Sequence, residues 1–232
     1  MNQLLVVELG TLPYGEALEL QRAVARARIR GDVAEDVLLL VEHPPVVTLG
    51  RTAKSANLIA PQELLAARGV EVFEVERGGD ITFHGPGQLV GYPIIDLKRH
   101  KQDLHWYLRQ VEEGLIVALS ALGIVAERYL GKTGVWTRGR KIASIGVHAR
   151  DWVTWHGFAL NVNTDLSWFD LIVPCGIQDV TMTSVARELG VARTDEVRVR
   201  VETARAFGTV FGLMPRASRR EELALQEPAP HA

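Results

Sequence analysis

Trp136-Thr-Arg-Gly-Arg-Lys-Ile-Ala-Ser-Ile-Gly-Val147 places a glycine-containing turn between two strand-like runs, the signature of a β-hairpin. Trp155 to Val162 supplies a further strand, so the middle of the chain reads as an antiparallel sheet. Upstream, Leu89 to Leu97 is apolar and β-branched enough for a central strand. Asp103 to Leu122 has the clearest helical periodicity in the chain and stops at Gly123. Leu4 to Leu9 predicts a first strand. Tyr14 to Ile29 predicts a helix, with apolar positions at Leu18, Leu20, Val24 and Ile29. Asp36 to Glu42 and Pro45 to Leu49 read as strands pinched apart by His43-Pro44-Pro45, because proline cannot donate to a sheet ladder. Pro61 to Arg68 has a helix's Pro-first, Gly-last punctuation, and Val70 to Val75 alternates as a strand. Thr183 to Leu189 and Val199 to Phe211, each followed by glycine, complete the helices. Strands and helices come in blocks, without a regular βαβ repeat. The expected fold is α+β, a layered sheet with flanking helices, as one domain over residues 1–214. The charged, Pro- and Ala-rich residues 215–232 are expected to form a disordered tail.

The 232 residues are 47% hydrophobic and 23% charged, enough to bury a core as a single domain. A formal net charge of −2, with Lys and Arg spread along the chain, gives no nucleic-acid face. The longest apolar stretches, 37–41 and 115–122, fall well short of the ~20 residues that span a bilayer. No membrane segment is expected. The N-terminus has no basic region and no small-residue cleavage site, so a cytoplasmic protein with a reduced thiol is the expectation, and a monomer is the default.

That thiol is Cys175, the single cysteine, set in Leu-Ile-Val-Pro-Cys-Gly-Ile. It cannot be half of an internal disulfide, so it is either a small buried hydrophobe or a reactive group. Pro174 and Gly176 bracket it and place it in a sharp loop. A second concentration of unusual residues is Arg77-Gly-Gly-Asp-Ile-Thr-Phe-His-Gly-Pro-Gly-Gln88, with four glycines in twelve positions. Such density lets backbone approach a ligand closely, though a long turn with a bulge would also use it. It matches neither a phosphate-cradling loop nor a dinucleotide fingerprint. His84 within it could be a general base, a donor to a carbonyl, or a satisfied half-buried histidine, and His148 and His156 stand in the same position. The histidines and Cys175 lack the paired spacing of a zinc site, so no metal is expected. Ser144 is not in a nucleophile elbow, since Ile142 stands two positions before it.

Taken together, residues 77–88, Lys-Ile-Ala-Ser-Ile-Gly-Val (141–147), Gly-Phe-Ala-Leu-Asn-Val (157–162) and Pro-Cys-Gly-Ile (174–177) resemble the lipoyl(octanoyl)transferase family in order and spacing. The resemblance implies the catalytic-domain fold of biotin and lipoate protein ligases, a central mixed sheet flanked by helices. It implies transfer of an octanoyl group from octanoyl-acyl carrier protein to one lysine of a lipoyl domain or of glycine cleavage H protein, in lipoate biosynthesis. It implies a catalytic pair, Cys175 as acyl-carrying nucleophile and Lys141 as its activator. Substrate contacts are implied at Arg77, Gly78, Gly79, Asp80, Ile81, Thr82, Phe83 and His84, at Ser144, Ile145 and Gly146, and at Gly157, Phe158 and Ala159. No cofactor is implied, because a thioester is already activated. Two other readings compete: an ATP-dependent lipoate or biotin protein ligase, and a non-catalytic lipoyl-domain binding protein with an inert thiol.

Overall fold

The structure of the protein, a computed structural model, describes residues 2–176 and 180–223. Strand Gln3–Thr11 (β1) leads into helix Tyr14–Arg30 (α1), which starts after Pro13 and ends at Gly31, in the left-handed conformation that glycine adopts at least cost. Strands Asp36–Glu42 (β2) and Val46–Leu49 (β3) follow, then helix Gln62–Ala67 (α2) and strand Glu71–Glu74 (β4). The glycine-rich segment contains strand Ile81–His84 (β5) and runs into Gln88–Ile94 (β6). Helix Leu104–Ala121 (α3) begins where the Asp103 carboxylate accepts from the N–H groups of His105 and Trp106. Strands Glu127–Tyr129 (β7), Lys132–Thr137 (β8), Arg140–Arg150 (β9) and Val153–Asn161 (β10) build the antiparallel region. Helices Val185–Leu189 (α4) and Glu196–Phe211 (α5) and strand Met214–Ser218 (β11) complete the elements used below.

The strands form an eight-stranded sheet in the order β11-β1-β2-β6-β10-β9-β8-β7 and a three-stranded sheet in the order β4-β3-β5. β1 pairs in parallel with both β2 and β11, and every other pairing in the large sheet is antiparallel. The unbroken apolar run of β2 follows from its place between two cores. Leu38 and Leu40 pack with α3 and α5, while Val37, Leu39 and Val41 pack with α1 on the opposite face. The small sheet stands over the α1 face and carries its own core of Val47, Ile81 and Phe83 with Phe169 and Leu171. The gap between the two sheets holds the site.

The expected tail is not borne out over 215–218. Those residues lie in β11, an edge strand paired with β1 from the start of the chain, and Leu223 is buried in the α1-side core. Composition could not reveal this, because the ordering partner is some 200 residues away in sequence and the anchor is one leucine. Residues 224–232 lie outside the described residues.

Candidate active site

Lys141 owes its direction to a one-residue irregularity. Val135 pairs with Ala143 and Trp136 with Lys141, so β9 carries one extra residue between the two pairs. This β-bulge breaks the alternation of the strand. Ile142 and Ala143 both enter the α3–α5 core, and Lys141 turns to the face opposite them beside Trp136, with Nζ 5.6 Å from the indole centroid. The side chain is fully buried. The bulge is held from the other side, where Lys141 N–H donates to Thr181 O and Thr183 N–H donates to Lys141 O, both at 2.9 Å.

The cysteine loop precedes the Thr181 and Thr183 contacts in sequence. Pro174–Gly176 forms a single 3₁₀ turn packed against β5, and Val173 N–H donates to Asn57 O at 2.7 Å. A Cβ at Gly176 would stand 2.4 Å from Asp80 Oδ2, so the loop backbone lies directly on that carboxylate. Asp80 is fixed by Asn57 Nδ2 at 2.6 Å, by its neighbour Ile81 N–H at 2.8 Å and by Lys54 N–H at 3.3 Å. The turn is thus seated on the glycine-rich segment. The Cys175 side chain and residues 177–179 lie outside the described residues.

Between the sheets lies a cavity of about 420 Å³. The period of β5 sorts its residues. Thr82 and His84 line the cavity, while Ile81 and Phe83 face away into the small sheet's core. Ile81 and Phe83, with Gly78, are therefore not placed on the cavity wall. Arg77, Gly79, Asp80, Ser144, Ile145, Gly146, Gly157, Phe158 and Ala159 all line it. Phe158 packs its ring in the α3–α5 core, so its contribution to the wall is backbone. Gly157 is required by close approach, since a Cβ there would stand 2.2 Å from Gly91 O. Arg77 braces the wall: its guanidinium donates to Thr48 O at 2.7 Å, Thr48 Oγ1 at 2.8 Å and Asp80 O at 2.8 Å.

A chain of hydrogen bonds ties His84 to the Lys141 bulge. His84 Nδ1 lies 2.8 Å from Gln88 Oε1, and Gln88 Nε2 donates to Phe83 O at 3.2 Å and Asn161 Oδ1 at 3.0 Å. Asn161 Nδ2 donates to Thr183 O at 3.0 Å, and Thr183 holds the Lys141 carbonyl. With Gln88 Oε1 able only to accept, the proton sits on His84 Nδ1 and Nε2 keeps a lone pair. Burial, reinforced by the neighbouring His43, pulls the His84 pKa down to about 3. His84 is neutral at physiological pH, and the ring offers the cavity an acceptor. It is not the oxyanion donor considered among its sequence-based roles.

Several wall residues escape sequence reasoning because they come from unrelated elements. Tyr14 is the first residue of α1, Tyr92 sits in β6, and Gly131, Lys132 and Thr133 come from the β7–β8 connection and β8. Tyr14 stacks on His84 with ring centroids 6.0 Å apart, and burial pushes its pKa up to about 12. Behind them, His43 Nδ1 donates to Leu12 O and Nε2 accepts from Tyr92 Oη, both at 2.7 Å. Desolvation lowers the His43 pKa to about 4, so this ring too is neutral. The doublet His43-Pro44, read from sequence only as a strand break, was the available signal. At the mouth, Thr52, Lys54, Gly131 and Thr133 are exposed. Arg140 turns away to a bidentate ion pair with buried Glu188, at 3.0 and 2.9 Å.

Residues 13–206 match the family described as Lipoyl protein ligase A/B catalytic domain. An Octanoyltransferase of Rubrobacter xylanophilus is 57% identical over 183 residues, covering 78% of this chain and 81% of that protein. An Octanoyltransferase of Koribacter versatilis is 53% identical over 211 residues, covering 89% of this chain and 83% of that one. Among solved structures, the putative lipoate protein ligase Ta0514 of T. acidophilum, with bound lipoic acid, superposes with a TM-score of 0.77. It is 18% identical and covers 97% of this chain and 93% of that one, a likeness of fold.

Proposed function

This chain belongs to the lipoyl protein ligase A/B catalytic domain family and is an acyltransferase of its octanoyltransferase branch, and from that premise we propose that it transfers octanoyl groups through Cys175. The thiolate of Cys175 attacks the carbonyl of octanoyl-acyl carrier protein, the carrier's thiolate leaves and takes up a proton from the Lys141 ammonium, which becomes a neutral amine, and the octanoyl group rests on the cysteine as a thioester. The ε-amine of a lysine on a lipoyl domain, or on glycine cleavage H protein, then attacks that thioester. An amide forms, Cys175 leaves as thiolate, and the proton lost by the amine passes to Lys141.

Lys141 serves both half-reactions. A thiol with a pKa near ~8.5 is only a few per cent thiolate at neutral pH, and an ammonium beside it favours the anion. The observation that carries the reading is that Thr181 and Thr183, a few residues after the Cys175 turn in sequence, hydrogen-bond the backbone N–H and carbonyl of Lys141 at its bulge. His84 Nε2, an acceptor in the cavity wall, is matched to an N–H of the incoming amine. Polarisation of the thioester carbonyl falls to backbone N–H groups of the glycine-rich walls. Burying about six methylenes in the cavity contributes about 5 kcal/mol at ~0.8 kcal/mol each. No step uses ATP.

The proposed setting is cytoplasmic, with the chain acting as a monomer. Among the described residues no helix is long and apolar enough to cross a membrane. The ligase reading is not favoured, because the relatives at 57% and 53% identity are octanoyltransferases. The test is transfer without nucleotide: octanoyl-acyl carrier protein, the protein and a lipoyl domain are mixed and the lipoyl domain is mapped by mass spectrometry. An octanoyl amide on one lysine, formed without ATP, supports the reading. Acylation that appears only with ATP and free octanoate overturns it.

A further inference from the structure

The geometry points to Glu188, on α4, as a positioning residue for Lys141; this rests on the acyl-transfer reading above. The bulge that turns Lys141 inward also interrupts the ladder between β8 and β9. On its other side Lys141 pairs with Met182 as an isolated parallel bridge, made of the two backbone bonds to Thr181 and Thr183. A single bridge lacks the repeated cross-strand pairs that stabilise a sheet. The backbone of the lysine therefore needs a further hold.

Glu188 supplies it without touching Lys141. Its side chain is 2% exposed. Oε1 accepts from Thr183 Oγ1 at 2.5 Å and from Arg140 Nε at 3.0 Å, and Oε2 accepts from Arg140 Nη2 at 2.9 Å. Arg140 directly precedes Lys141, and Thr183 directly follows Met182. One carboxylate thus grips both strands of the bridge, each at one position from the Lys141–Met182 pair. The grip is stiff, because a forked guanidinium–carboxylate pair fixes orientation as well as distance, and a hydroxyl bond to a charged acceptor is among the stronger hydrogen bonds. Its base is fixed too. Ala186 N–H donates to Val162 O at 3.0 Å, Ser184 Oγ accepts from Arg187 N–H at 3.3 Å, and Val185 is buried in the α3–α5 core. Thr183 is committed at every polar group, since its N–H holds the Lys141 carbonyl and its own carbonyl accepts from Asn161 Nδ2 at 3.0 Å. Loosening the grip frees the bulge to shift. Misplacing a catalytic group by about 1 Å costs about 100-fold in rate, so a partial release is expected to cost about tenfold.

The experiment reads single-turnover acyl-enzyme formation from octanoyl-acyl carrier protein in wild type, Thr183→Val, Thr183→Ser and Glu188→Met, and repeats each change in a Lys141→Ala background. Thr183→Val keeps the shape and both backbone bonds and withdraws the hydroxyl donor, and Thr183→Ser restores it. Thr183→Val and Glu188→Met are expected to lower the saturated rate about tenfold, with the half-saturating donor concentration within about twofold of wild type, and Thr183→Ser to stay within about twofold in rate. In the Lys141→Ala background the same two changes are expected to alter the residual rate less than about twofold, because their effect passes through the lysine. A full slowing that persists without Lys141 marks a merely structural role and overturns the proposal. So does a folded Thr183→Val or Glu188→Met that acylates at the wild-type rate. Should both fail to fold, Arg140→Met, at a side chain one-third exposed, carries the same comparison. It is expected to slow acylation at least about threefold, and only where Lys141 is present; an unchanged rate overturns the proposal and leaves acyl transfer standing. A wild type that takes no acyl group overturns both.

Discussion

A methyl group placed on Gly134 would stand 2.8 Å from Lys141 Cε and 2.8 Å from Ala143 O, so the buried path of the lysine side chain exists because residue 134 is glycine. The backbone there has a φ of 136°, which no L-residue adopts comfortably, and its N–H donates to buried Glu112 at 3.3 Å. Gly134→Ala is expected to displace the Lys141 ammonium and slow acyl-enzyme formation on the order of 100-fold, the cost of misplacing a catalytic group by about 1 Å. Stopped-flow acylation alongside a thermal melt checks this. A folded variant with a rate within twofold of wild type contradicts it.

Gln88 links His84 to Asn161 and, through Thr183, to the carbonyl of Lys141. Gln88→Leu keeps the volume but strips partners from His84 Nδ1 and Asn161 Oδ1. The expected loss is ~2–4 kcal/mol of stability, since each abandoned buried polar atom costs ~1–3 kcal/mol. Urea unfolding measures the change, and a midpoint equal to wild type counts against the relay.

The two buried neutral histidines give the protein an acid-side weakness. Unfolded, each ring titrates near 6.5, while desolvation lowers the folded values to about 4 for His43 and about 3 for His84. Below pH 6.5 the unfolded chain binds more protons than the native one, so stability falls as pH falls, over the window from 6.5 down toward 4. Each group contributes at most ~1.4 kcal/mol per pH unit within that window. Tm measured from pH 7.5 to 4.5 is expected to decline less steeply in His43→Gln than in wild type. Parallel profiles would remove His43 from the account.

Arg77 is a brace before it is anything else. Its three strong bonds to Thr48 and Asp80 O hold β3, β5 and the glycine-rich turn in register. Arg77→Met is expected to cost ~3–5 kcal/mol, since three buried neutral oxygens lose their donor and each abandoned buried acceptor costs ~1–3 kcal/mol. The KM for the acyl donor is expected to rise with it. An undiminished Tm would show that the wall stands without the guanidinium.

The fold was legible wherever period and punctuation are local. The hairpin around Gly139, the long apolar helix ended at Gly123 and the strand of Trp155 to Val162 all form as their spacing predicts. Met214–Ser218 was not legible, because a polar edge strand is defined by its partner β1 and not by its own pattern. In the site, the glycine-rich segment was visible, yet its division into wall residues Thr82 and His84 and core residues Ile81 and Phe83 needed the pairing of β5 with β3. Lys141 would have been set on the wrong face by strict alternation, since its bulge leaves no local mark. Tyr14 reaches the cavity from α1, and Tyr92 and His156 from the sheet strands β6 and β10.

The most direct test of the central claim is intact-mass spectrometry of the protein mixed with octanoyl-acyl carrier protein, without ATP or acceptor, beside Cys175→Ser and Lys141→Ala. The account predicts one octanoyl adduct, removed by hydroxylamine and discharged by a lipoyl domain, absent from Cys175→Ser and slow to form in Lys141→Ala. No adduct on wild type, or an equal adduct on Cys175→Ser, would contradict it.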